Sequence, residues 1–436
     1  MRFIRYPAFR HIIRCIQLIS ITVAFIACKK DTPPVPEKSE EIVSPATGSR
    51  KQLTLDSLFL YAAQVYRWHD ALPAYEQFNP RGQYGAIQPE INALQNELFD
   101  ITQFAVNPAN KRPYEYPIRH GIPRYSYLEE KINEDISAKA AISNSDPVVY
   151  RSVIRQGDKR VAYLVLGGFP RLADHQAALD EAFGEFAEAG ANELVIDLRN
   201  NNGGYVETAA YVANLIAPAS LNGKTMFAEE FNPLMQNGKA TILQHQLYLD
   251  AEGNPVAFQG RQATLADIDY SLAANTFTFE KKGSFSATEN IYFIVSGNTA
   301  SAAELLISCL KPYFNVRLVG AKTYGKPVGF FGINIDKYTV YLSSFLIKNA
   351  DGWFDYFEGM EPDAGVTLSA NPNWGDRNEP GLQAVLSIMD GIVPKMGSLP
   401  LSIEKWESID SPSRKSLFEP KDAIPMLPMR WRLLEQ

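Results

Sequence analysis

The sequence predicts an α/β fold with a small N-terminal helical subdomain, and three observations lead there. Short apolar runs at VAYLVLGG (161–168), ELVIDL (193–198) and IYFIVS (291–296) lack the polar alternation of a half-exposed strand and read as strands buried on both faces. Amphipathic helical patterns separate or follow them, which makes βαβ units and implies parallel pairing. Two further helical patterns precede the first strand. At 436 residues the chain exceeds one ordinary domain and suggests a large domain with smaller pieces.

The elements follow in chain order. Arg2, Arg5, Arg10 and Arg14 form a positive start, and residues 15–27 are apolar and uncharged. That run is too short to span a bilayer comfortably and reads as a secretory signal. It ends Phe25-Ile26-Ala27-Cys28, before Lys29-Lys30-Asp31, and resembles a bacterial lipobox. Residues 1–28 are therefore expected to be a lipoprotein signal peptide, with Cys28 as the lipidated residue. Residues 29–50, rich in Pro, Ser and Glu, read as a flexible tether. A helical subdomain is expected over 51–105, from Leu55, Leu58, Phe59, Ala62, Val65 and Tyr66 at spacings of three and four, and from a second run at 88–104. Trp68-His69-Asp70 invites a catalytic His-Asp reading, but adjacent helical residues do not face each other. Residues 106–150 are irregular. The core spans 151–395: a helix over Ala173–Ala189 ending at Gly190, another over Glu207–Ile216, a polar, loop-rich insertion at 221–286, a helix from Ser301, and a strand at VRLVG (316–320). A C-terminal extension occupies 396–436.

Composition narrows the function. Hydrophobic residues make up 46% and charged residues 21%, ordinary for a globular protein. A net charge of -7, with no basic stripe beyond the first residues, speaks against a nucleic-acid partner. Cys15, Cys28 and Cys309 offer no disulfide framework, and Cys309 in SAAELLISCLKPYF reads as a small buried hydrophobe. The five histidines show no metal-ligand spacing, so neither a metal nor another cofactor is expected.

Three loops follow strands, where α/β folds place chemistry. Asp197-Leu-Arg-Asn-Asn-Asn-Gly203-Gly204 ends in paired glycines that can present N–H groups to an oxyanion. In Asn298-Thr299-Ala300-Ser301-Ala302-Ala303-Glu304, small neighbours are expected to leave the Ser301 hydroxyl accessible at a helix start. Taken alone, Ser-x-x-Glu there is a capping box, with Glu304 as its partner or as a brace. Gly320-Ala-Lys-Thr-Tyr-Gly325-Lys326-Pro327 sets a lysine among glycines and apolar residues. Taken alone it is a loop lysine; desolvated, it can serve as a base. The apolar Pro327-Val-Gly-Phe330-Phe331 that follows could supply the desolvation.

Together DLRNNNGG, TASAAE and TYGKPVG, with Ser301 and Lys326 25 positions apart, resemble the S41 peptidases, the tail-specific or C-terminal processing proteases. Phe357-Glu-Gly-Met-Glu-Pro362-Asp363 resembles that family's Gly-x-x-Pro-Asp element, and Trp68 to Pro73 resembles its Bacteroidota lipoprotein branch. The resemblance implies a ClpP/crotonase-like superhelix of ββα units. It implies Ser301 as nucleophile, Lys326 as general base, and oxyanion amides from Gly203 or Gly204 together with Ala302. It implies a membrane-anchored serine endopeptidase of the cell envelope, acting on protein or peptide substrates through an acyl-enzyme. Two departures stand out. Phe330 replaces the glutamine many members carry four residues after the lysine, and 106–150 is too short for a full PDZ domain, with room only for a remnant. The rival readings are a catalytically silent peptide-binding lipoprotein of the same fold, a crotonase-type acyl-CoA enzyme, which secretion opposes, and a structural lipoprotein.

Overall fold

The computed structural model describes residues 45–131, 146–250, 253–286, 289–369, 371–392 and 432–434. The signal segment 1–28 with Cys28, residues 29–44 of the tether, and the extension 396–436 apart from 432–434 lie outside the described residues.

Helix α1 (Arg50–Val65) starts at Ser49, which forms a capping box with Gln52. After two short helices, α2 (Tyr75–Phe78) and α3 (Pro80–Tyr84), comes α4 (Glu90–Gln103). Leu55, Leu58, Phe59 and Ala62 of α1 share a buried cluster with Ala93, Leu94, Leu98 and Ile101 of α4. Both spacings are helical, so each helix buries one stripe. Residues 69–71, the His-Asp pair, form a single 3₁₀ turn.

The segment after the helices contributes β1 (Tyr127–Glu130) and β2 (Val148–Gln156). Then come β3 (Lys159–Leu166), α5 (Leu172–Glu188), β4 (Glu193–Asp197) and α6 (Val206–Ile216). The stretch read from sequence as a loop-rich insertion contains β5 (Thr225–Phe231), α7 (Pro233–Gln236), a small hairpin β6–β7 (257–262) and β8 (Thr276–Thr278). Next are β9 (Asn290–Val295), α8 (Ala302–Leu310) and β10 (Asn315–Gly320). The chain continues through β11 (Val328–Gly329), β12 (Gly332–Ile335), β13 (Tyr338–Tyr341), β14 (Phe345–Asn349), β15 (Ala364–Gly365) and α9 (Pro380–Met389).

The central sheet has the order β15-β10-β9-β4-β3-β2, antiparallel only between β2 and β3. Its strands alternate between two buried faces. Val161, Tyr163 and Val165 pack with Leu382, Val385 and Met389 of α9. Ala162, Leu164 and Leu166 join the cluster containing Leu179 and Phe183 of α5 and Leu305 and Leu306 of α8. Helices cover both sides, which explains why the inner strands β3, β4 and β9 carry no polar face. This is the α/β class, with helices on both faces of a largely parallel sheet and the helical subdomain ahead of it.

A second sheet, β11-β14-β5-β8, draws two strands from the supposed insertion. That stretch buries Met226, Phe227, Phe231, Met235, Phe277 and Phe279, so it is core rather than loop. Its acidic pair hid the strand: Glu229 is buried, and Glu230 is taken up by Arg67 at 2.7 Å and by Lys348. A third sheet pairs β1 with β13, stacking Tyr127 on Tyr341 at 4.6 Å between ring centroids.

Register decides where the loops emerge. Asp197 lies beside Ile294, and Val295 beside Gly320. The carboxyl ends of β4, β9 and β10 are therefore level, and their three loops leave one edge of the sheet side by side.

Candidate active site

The loop after β4 is held from below by a buried ionic network. Arg199 Nε donates to both Asp197 oxygens at 2.9 and 3.0 Å, and its two Nη atoms donate to Glu379 at 2.6 and 2.8 Å. Tyr163 OH adds a bond to Asp197 at 3.0 Å. Burial would raise the Glu379 carboxyl; Arg199 and the Leu382 N–H outweigh it and hold it below its ordinary value. The loop is also stitched to its neighbour after β9. Thr299 Oγ1 donates to Leu198 O at 2.8 Å, Ser296 Oγ to Arg199 O at 2.5 Å, and Ala300 N to Asn201 O at 3.2 Å.

These bonds press the paired glycines against Ser301. A Cβ at Gly203 would lie 2.7 Å from the Ser301 Cβ and 2.9 Å from Ala302 N, so only glycine fits. Gly203 has φ 97° and Gly204 has φ 138°, and the Gly203 N–H is committed to Asn201 Oδ1 at 2.8 Å. Among the described residues no acceptor meets the N–H of Gly204 or of Ala302. Of the glycines read as oxyanion donors, Gly204 is thus the one with an N–H to offer.

Ser301 stands at the start of α8 with φ 60° and ψ -120°, a left-handed conformation that a serine holds only when its surroundings impose it. The expected capping-box arrangement of Ser301 and Glu304 is in place, but only its backbone half is a hydrogen bond. Glu304 Oε2 accepts from Ser301 N at 3.0 Å, while the Ser301 hydroxyl has no hydrogen-bond partner. The expectation of an accessible hydroxyl is corrected: Ser301 is fully buried, because the Gly203 backbone closes against it. A buried hydroxyl left without a hydrogen bond is an unusual thing for a fold to keep.

Glu304 joins this serine to the lysine loop. Its carboxylate receives Ser301 N, Lys326 N at 2.8 Å, Gly325 N at 2.7 Å and Thr323 Oγ1 at 2.5 Å. Burial raises its pKa, and those four donors oppose the rise by favouring the charged form. The sequence offered Glu304 as box partner or brace, and it braces both loops. Tyr324 N adds a bond to Thr299 O at 3.0 Å. Gly325, at φ 89°, has no room for a side chain, since a Cβ there would lie 2.4 Å from Gly359 N. The Phe357–Asp363 stretch is thereby locked to the lysine loop, with Met360 N donating to Thr323 Oγ1 at 2.7 Å.

Lys326 is 3% exposed. Burial lowers its pKa from 10.5 to about 8, against the pull of Glu304 and Glu115. Its Nζ sits 4.5 Å from the centroid of the Phe330 ring, so the residue in the glutamine's place does touch the lysine. The ring excludes water, which favours the neutral amine, while its face attracts the ammonium; burial dominates.

Several contributors carried no sequence signal. Glu115, in the irregular stretch, is buried and accepts from Ser126 N, Ser126 Oγ and Ser343 Oγ at 2.7–2.8 Å. Tyr125 OH donates to Gly325 O and Arg124 Nη2 to Tyr324 O, both at 2.5 Å. Residues 115–126 therefore clasp the lysine loop. Cys309 is buried, as read from sequence.

Residues 160–366 match the model of peptidase family S41. Among solved structures, a Bacteroides fragilis protein described as an S41 protease aligns at 26% identity over 57% of this chain and 59% of its own length, TM-score 0.43. The photosystem II D1 C-terminal processing protease aligns at 14% identity over 74% of this chain and 96% of its own, TM-score 0.46. A lipoprotein from Streptococcus agalactiae aligns at 15% identity over 80% and 99%, TM-score 0.44. No curated protein matches. The three level loops, with the glycine pair, the serine and the lysine they bring together, all fall inside the matched segment: the chain carries a peptidase family S41 domain across residues 160–366.

Proposed function

We propose that this protein is a serine endopeptidase held at the cell envelope by a lipid on Cys28, with Ser301 as nucleophile and Lys326 as general base. One observation supports this above the others. The Ser301 hydroxyl, unpartnered on a left-handed turn, is tied through a single carboxylate to a lysine whose amine burial brings near neutrality. In the reaction, neutral Lys326 Nζ takes the Oγ proton as Oγ bonds to the peptide carbonyl carbon. The oxyanion is received by the N–H groups of Gly204 and Ala302. Collapse breaks the C–N bond, the departing amine takes the proton from Lys326, and water then hydrolyses the acyl-enzyme by the same route. Because Ser301 is covered, substrate entry has to lift the Gly203–Gly204 backbone or its neighbours.

The decisive test is hydrolysis of labelled casein by wild type and Ser301→Ala, with a fluorophosphonate probe mapped by mass spectrometry. Turnover and labelling at Ser301 should both vanish in the variant; undiminished hydrolysis would remove Ser301 from the mechanism. The anchor is tested apart from the chemistry. Cys28→Ser should move the protein from the membrane to the soluble envelope fraction, and a wild type already found in the soluble fraction would end that reading.

A further inference from the structure

Residues 432–434 lie against the segment 267–269, between β7 and β8, as a short antiparallel strand. Leu433 bridges Ile268, Asp269 N donates to Arg432 O at 2.7 Å, and Leu434 N donates to Asp267 O at 2.8 Å. Those two bonds flank the Ile268–Leu433 pair, which makes it a non-hydrogen-bonded pair, the kind whose side chains approach most closely. Ile268 is 4% exposed, and Leu433 packs on the main core cluster. Recognition here uses main-chain bonds and one aliphatic side chain. Arg432 and Leu434 stay exposed, and the Asp267 carboxylate is already spent on Arg261 and Thr264. Little about this contact depends on the identity of the flanking residues. Without the strand, the Asp269 N–H and the Asp267 carbonyl would stand open as a template for any extended chain.

The edge is also joined to the candidate active site. Two residues beyond Ile268, Tyr270 stacks on Phe331 at 6.4 Å and edges against Phe231 at 4.9 Å. Phe331 is next in sequence to Phe330, whose ring covers Lys326.

We propose that the 267–269 edge is a docking strand for extended peptide segments with a leucine-sized residue at the paired position, and that residues 432–434 occupy it as an internal competitor. Calling the docked segments substrates rests on the peptidase reading; the docking does not. A segment of the same chain competes with added peptide at an effective concentration that can reach the order of mM, so the edge is largely closed until that segment is released.

The test is fluorescence anisotropy with a labelled peptide of residues 429–436, MRWRLLEQ, in the Ser301→Ala background so that cleavage cannot intervene. The Leu434→Pro chain, which loses the N–H given to Asp267, and a chain ending at residue 431 should each bind the peptide at least about tenfold more tightly than the parent. The same peptide with proline at the Leu434 position should not bind. Equal binding by parent and both released chains, or equal binding of the proline peptide, would overturn the proposal. Serine chemistry could then still stand, since the anisotropy measures no turnover.

Discussion

Lys326 shows how one burial sets both a rate and a stability. In its proposed role as base it has to be neutral, so kcat/KM should rise with pH and level off above an apparent pKa of about 8. Lys326→Arg cannot release a proton and should lose on the order of 10²–10⁴ in rate; an arginine variant with most of the activity would exclude Lys326 as base. The stability effect has a fixed sign. An unfolded lysine keeps its proton to about 10.4, whereas the folded one releases it near 8. Between those values the unfolded state binds more protons, so stability rises with pH across that window, and below it the penalty for a buried ammonium applies in full. Lys326→Met should therefore be inactive yet more stable at pH 7, on the order of 2–3 kcal/mol. In urea unfolding the gap should narrow toward pH 10, and a constant gap would mean that charge burial is not its cause. Ser301 carries a similar tension in its backbone. At φ 60°, Ser301→Gly should be more stable than Ser301→Ala by about 1 kcal/mol, with both inactive; equal melting temperatures would show that the turn is unstrained.

At the scale of elements, the first turn of α8 works as a clamp. Glu304→Gln keeps the shape but turns an amide N–H₂ toward N–H and O–H donors, so at least one of four bonds becomes a clash of donors. Stability should fall by about 2–4 kcal/mol, and kcat should fall more than KM rises, because the serine and lysine backbones lose their common anchor. A Gln variant with native kcat would reduce Glu304 to packing. These elements also show what a sequence reveals. The inner strands of the central sheet were legible because they are buried on both faces, leaving uninterrupted apolar runs at 161–166, 194–196 and 291–295. Gly203 carried a signal of its own, because there is no room for a side chain there, whereas Ser301 and Lys326, a cap and a loop lysine when taken singly, stood out only through the combined resemblance of their motifs. Strand β5 was not: TMFAEEF shows two acids, and the partners that hold Glu230 in a core strand, Arg67 and Lys348, are distant in sequence. Glu115 and Tyr125 were invisible for the same reason, their partners lying about 200 residues away at Ser343 and Gly325. The closed state of Ser301 was also out of reach, since it follows from how two loops meet.

Across the whole molecule, the glycine loop after β4 is positioned from far along the chain. Arg199 sits two residues past the end of Asp197's strand, yet half its pairing comes from Glu379, 180 positions later, where the same carboxylate also caps α9 through Leu382 N at 3.0 Å. The apolar face of α9 packs beneath the sheet, so this one side chain joins the helix, the strand end and the glycine loop. Glu379→Ala removes a partner from a cation that is 3% exposed, but Asp197 remains. The expected loss is therefore near the lower end of the range for a broken buried pair, about 3 kcal/mol. Glu379→Gln retains a hydrogen bond to Arg199 and a cap for α9, and should recover part of that loss. The sign with pH follows from the lowered carboxyl: the stability that Glu379 contributes is present above the ordinary carboxylate range and disappears as pH falls through its depressed value. The difference between wild type and Glu379→Ala should thus shrink in acid. If the network does no more than hold the fold together, a well-folded Glu379→Ala protein assayed below its melting temperature will show normal turnover. If it aims the Gly204 N–H at the oxyanion, kcat will fall with KM little changed, and Glu379→Gln will restore kcat in step with stability.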